Sequence, residues 1–98
     1  MENDIFNTKE AKELFKAILT LKNAEECESF FRDICTIKEV EEMSARFRIA
    51  RMLSVEKPES YAVIAKEVKT STATVTRVAH WLHHGAGGYR LALKRLTR

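Results

Sequence analysis

Apolar residues recur every three or four positions along almost the whole chain, the period of an α-helix buried on one side. Asn7 and Glu10 stand at the spacing of a capping box, and Ala11, Leu14, Phe15, Ile18 and Leu19 follow on one stripe. Asn23 and Glu26 repeat that spacing ahead of Cys27, Phe30, Phe31 and Ile34. Thr36 and Glu39 make a third start and open a long helix with Val40, Met43, Phe47, Ala50 and Met52 or Leu53. The stretch "SVEKPES" holds the only proline, Pro58, and reads as a turn. Ser60 then caps a short helix carrying Tyr61, Ile64, Ala65 and Val68. Lys69 to Ser71 interrupt it, and Ser71 or Thr70 caps the next, from about Thr72 to His84. Gly85, Gly87 and Gly88 stop that helix, and a last one from about Tyr89 sets Leu91, Leu93 and Leu96 beside Arg90, Lys94, Arg95 and Arg98. The pattern predicts six helices, no strand, and an all-α fold.

At 98 residues the chain is a single domain, 1–98, with a limited core unless a second chain shares it. Residues 1–57 are expected to supply dimerisation and core helices, 58–84 a helix-turn-helix, and 85–98 a C-terminal helix. An intertwined homodimer accounts for the large apolar faces of the first two helices better than a compact monomer does. No apolar run of about 18 residues and no charged-then-apolar leader is present, which predicts a cytoplasmic protein away from membranes. Cys27 and Cys35 are too few for a disulfide framework and are expected as thiols. Charge changes this picture most. Residues 1–45 carry 6 Lys/Arg against 11 Asp/Glu, whereas residues 46–98 carry 11 against 3. A basic C-terminal half is suited to a polyanion, although uneven surface solvation gives the same count.

The segment Tyr61 to Leu82 has the layout of two helices joined by a tight turn. Ala65 is small enough for a second helix to cross it closely, and Val75 and Val78 face back toward Ile64 and Val68. That leaves Thr72, Ala73, Thr76 and His80 toward solvent, with Thr74 and Arg77 beside them. Short hydroxyl and methyl side chains let a helix approach base edges and thymine methyls, and hydroxyls also reach phosphates. Lys69 occupies the turn position that usually carries glycine, and a lysine there must adopt or avoid a left-handed backbone. An ordinary helix pair with a threonine-rich solvated face is the competing reading.

The stretches "MSARFRIARML" and "YAVIAKEVKTSTATVTR" resemble the Trp repressor superfamily, in particular its small Trp repressor-related branch, over roughly residues 8–98. "ARFRIARML" and "STATVTR" carry most of the likeness, and "GAGGY" is typical of the branch and not of the repressor. The resemblance implies an intertwined all-helical homodimer with a helix-turn-helix in each subunit, bound to operator DNA. It also implies a ligand pocket. Arg46 matches the arginine that lies on the corepressor's indole, Arg77 the one that grips its carboxylate, and Thr36 a hydroxyl on the same carboxylate. Guanidinium suits both tasks. Thr36 has a rival role as a helix cap.

Two pocket positions depart from the family. Val78 replaces the glycine on which the indole packs, and Trp81 replaces a serine that contacts the ligand amino group. Filling a close-packed slot in this way costs about 1–3 kcal/mol, roughly 5- to 150-fold in affinity. Trp81 would obstruct the site further. These departures argue against L-tryptophan as effector and for a pocket filled by Trp81 or neighbouring apolar groups, unless a different acid is held by Arg46 and Arg77. An ordinary core or interface role for Trp81 overlaps with that reading.

Other patterns carry less. His80 and His84 lie one turn apart, a spacing that can hold a metal, but two histidines do not complete a site. Solvated or phosphate-contacting histidines, with His80 on DNA, are preferred, and no metal or cofactor is expected. "GAGGY" lacks the strand and the Gly-Lys-Ser/Thr of a nucleotide loop. No nucleophile–base pair or carboxylate pair points to an enzyme. The expectation is a homodimeric repressor-like regulator binding double-stranded DNA. Thr72, Ala73 and Thr76 would face bases, with Lys69, Ser71 and Thr74 on phosphates and His80 touching DNA from the same helix. The alternatives are a helical dimerisation or adaptor module that reads no DNA, and a repressor answering to another small acid.

Overall fold

The computed structural model describes residues 4–97, and these form six α-helices and one 3-10 turn with no strand among them. The helices are α1 (Lys9–Leu19), α2 (Ala24–Ile34), α3 (Ile37–Leu53), α4 (Tyr61–Val68), α5 (Thr72–His84) and α6 (Gly88–Leu96). No helix is long and apolar enough to cross a membrane. The described residues fall into two compact units, 4–37 and 38–97.

The first unit holds the 3-10 turn Ile5–Asn7, α1 and α2. Its first cap differs from the sequence expectation. Thr8, not Asn7, starts α1, because Thr8 has the extended backbone an N-cap needs and its Oγ1 accepts from the Ala11 N–H at 3.1 Å. Asn7 is taken up in the preceding turn, its N–H donating to the Asp4 carbonyl at 3.0 Å. That turn stacks Phe6 on Phe15, with ring centroids 6.2 Å apart. At α2 the expected cap forms: Asn23 Oδ1 accepts from the Glu26 N–H, and Glu26 Oε1 accepts from the Lys22 N–H, both at 2.9 Å. No described residue of this unit is buried, and Leu14, Phe15, Leu19 and Ile34 are all exposed.

The second unit has a closed core. Ile49 and Ala50 of α3, Ile64 and Ala65 of α4, and Val75 and Val78 of α5 pack into one buried cluster. Met52, Leu53, Val68, Tyr89 and Leu93 cover its edge, while Ala79 and Leu82 are buried beside it on α5. Alanine at positions 50, 65 and 79 keeps helix backbones close where longer side chains would hold them apart. Ser60 caps α4 by accepting from the Val63 N–H at 3.2 Å. No buried charged or polar side chain interrupts this core among the described residues, so its cohesion is apolar.

Candidate nucleic-acid interface

The connection between α4 and α5 is two residues of tight turn and a cap. Lys69 takes the left-handed conformation that its position demands, φ 64° and ψ 52°, and is the only described non-glycine residue with positive φ. Reversal of the chain there lets the Thr70 N–H reach back to the Ala65 carbonyl at 2.9 Å, which closes the end of α4 as in a Schellman stop. Ser71 is extended, and its Oγ accepts from the Thr74 N–H at 3.1 Å to start α5. The Thr74 hydroxyl lies 3.1 Å from the same Oγ, so both hydroxyls are already engaged in the cap.

Helical period then divides α5 into two sides. Val75, Val78, Ala79 and Leu82 are buried, whereas Thr72, Ala73, Thr76, Arg77 and His80 are exposed. Thr74 is half-buried. The expected reading positions Thr72, Ala73, Thr76 and His80 therefore share the open side of one helix, and Lys69 and Ser71 stand exposed at its entrance. Ser71 and Thr74 are linked to each other, which leaves lone pairs but little freedom for contacts elsewhere.

The C-terminal end of α5 is clamped by a residue that the sequence reading left unassigned. Arg90, early in α6, donates from Nε to the Leu82 carbonyl at 2.9 Å and from Nη2 to His83 Nδ1 at 3.1 Å. A guanidinium can only donate, so His83 Nδ1 is the acceptor in this arrangement. An arginine soon after a glycine stop is the one available signal, since long basic side chains serve the last carbonyls of a helix. Gly85 is required at the stop: a Cβ there would collide with the Trp81 carbonyl oxygen, which accepts from the Gly85 N–H.

The positions matched to a ligand pocket are not alike in setting. Val78 is 1% exposed and occupied entirely within the core. Trp81 is 54% exposed, its ring edge-on to His80 with centroids 5.1 Å apart. Arg46 is exposed on α3 with Nη2 3.9 Å from Glu42 Oε1, a loose pair in open solvent. Arg77 is exposed with no hydrogen bond or ion pair to a described residue, and Thr36 is exposed just before α3.

The profile of the Trp repressor protein family matches residues 9–97. The chain is 42% identical over 96 residues to the uncharacterized protein YerC of Bacillus subtilis (strain 168), spanning 98% of this chain and 90% of that one. A crystal structure of a TrpR like protein from Eubacterium eligens has 40% identity and a TM-score of 0.89, over 97% of this chain and 96% of that one. A second crystal structure, from Staphylococcus aureus, has 39% identity and a TM-score of 0.88, over 99% and 95%.

Proposed function

Since the chain belongs to the Trp repressor family, in its Trp repressor-related branch, we propose that it is a homodimeric, sequence-specific DNA-binding regulator that does not answer to tryptophan. The observation that carries this reading is the two-sided α5. One side is committed to the core by Val75, Val78, Ala79 and Leu82, and the other offers Thr72, Ala73, Thr76 and His80 behind a sharp, capped turn. A helix held in this way keeps its open side rigid, so short side chains enter a major groove without loss of their own order. The strongly basic second half of the sequence supplies attraction to phosphates and makes affinity depend on salt.

Pairing of two chains is supported by the first unit. Its helices carry apolar faces, yet none of its described residues is buried. Two reading heads in such a dimer, about 34 Å apart, select a two-fold symmetric operator.

The case against tryptophan rests on Val78 and Trp81. Val78 cannot be the open floor on which an indole packs while its side chain is enclosed in the core. Trp81 places a bulky indole where the family's pocket has a serine, and leaves no hydroxyl there for a ligand amino group.

The test is selection of bound sequences from a random double-stranded library, followed by gel shifts across a salt series. A symmetric consensus is expected, with affinity falling steeply as salt rises, and Thr72→Glu and Thr76→Glu abolishing selection. Absence of salt-sensitive, sequence-selective binding would overturn DNA reading in favour of an adaptor module. Calorimetric titration with L-tryptophan is expected to give no binding heat, and micromolar binding would overturn the case against that effector.

A further inference from the structure

Three histidines crowd the last two turns of α5, and the structure separates them by role. His83 is held by Arg90, which leaves His80 and His84. These two are exposed, one helical turn apart, with ring centroids 5.2 Å apart and planes inclined at 43°. Neither makes a hydrogen bond or ion pair with a described residue. Their nitrogens are therefore not engaged within the described chain, and the one-turn spacing lets rotation of the two side chains bring one nitrogen from each ring to the separation of about 3 Å that two metal–nitrogen bonds of about 2.0–2.1 Å require.

We propose that His80 and His84 form a two-nitrogen site for a late first-row divalent cation, with water completing the coordination. The donor set selects the metal. Neutral imidazoles suit Cu²⁺, Ni²⁺ and Zn²⁺, whereas Mg²⁺ and Ca²⁺ require oxygen ligands. Among the described residues no group of three or more metal-ligating side chains converges anywhere, so this is an open, exchangeable site and not a structural one. Its electrostatic setting is balanced. α5 ends at His84, where the carbonyl ends of the helix favour a cation. Arg77, one turn before His80, and Arg90 oppose one, but both are exposed and screened by salt. Two direct nitrogen bonds at fixed helical spacing outweigh that screened repulsion.

The protein carries its own reporter. Trp81 is the only tryptophan in the sequence, and its ring lies against His80. A paramagnetic ion bound there quenches Trp81 emission, while an ion on a distant group does not. Ni²⁺ is the probe of choice, since it spares the thiols that Cu²⁺ oxidises. Titration of the full chain is expected to give saturable quenching at one ion per chain. His80→Asn and His84→Asn should each weaken it at least about tenfold, the lower bound for losing even an outer-shell partner of a metal. Both positions are exposed, so helical circular dichroism should be unchanged. Ni²⁺ and Zn²⁺ should also raise the melting temperature of the parent and not of either variant. Quenching that is linear without saturation, or that survives both substitutions, would overturn the site. The titration needs no DNA, so its result is independent of whether α5 reads an operator.

Discussion

Lys69 sits in a left-handed conformation that a side chain makes unfavourable by about 1–2 kcal/mol, and glycine would relieve it. On the proposed DNA-reading role, the Lys69 charge at the entrance of α5 would meet phosphates and offset that cost. Lys69→Gly separates the two effects. The gain from unstrained backbone, less the extra chain entropy of glycine, is expected to raise unfolding stability by about 0.5–1 kcal/mol in urea melts. Operator affinity should fall in the same variant, with the salt slope reduced by about one. If stability rises and DNA binding is untouched, Lys69 has no phosphate contact. Val78 gives the opposite lesson. The sequence allows it two roles, a residue facing back between the paired helices and an obstacle in a ligand slot, and the structure places it in the core, where any residue smaller than valine would leave a void.

Helix starts were the most legible features of the chain, because a cap needs only a short polar side chain and three residues of spacing. Asn23, Ser60 and Ser71 cap where their patterns indicated. Asn7 failed because two candidates lay side by side, and backbone angles, which no local motif states, gave the role to Thr8. The end of α5 at His84 was legible from the glycines after it, but its clamp was not, because Arg90 reaches it across eight positions and a glycine turn. Trp81 was ambiguous in sequence because helical period cannot tell a core position from one awaiting another surface. The Ser71 cap also supports the geometry of the turn. Ser71→Ala removes the acceptor for the Thr74 N–H and the neighbour of its hydroxyl. It is expected to lower stability by about 0.5–2 kcal/mol, with Ser71→Asp restoring most of the loss in the same melts.

The two units differ in how they satisfy their apolar residues. Residues 38–97 bury a cluster contributed by three helices, while residues 4–37 bury nothing of their own. Leu19, 82% exposed in the single chain, distinguishes the consequences. On an isolated chain Leu19→Asp would change stability by no more than about 0.5 kcal/mol. In the proposed dimer it strips a leucine from each copy's covered face, a loss of at least about 3 kcal/mol per dimer. Sedimentation equilibrium is expected to find a dimer for the parent chain and a dissociating one for the variant; a monomeric parent would refute the pairing. The uncovered helices have one more consequence. On the dimer reading, α1 and α2 acquire an interior only when a second copy arrives, so maturation of the protein is a second-order reaction. Newly made chains stay open to proteolysis until they meet, and the amount of finished regulator rises more steeply than the rate of its synthesis. Gene dosage would then act on this protein twice, once through production and again through survival.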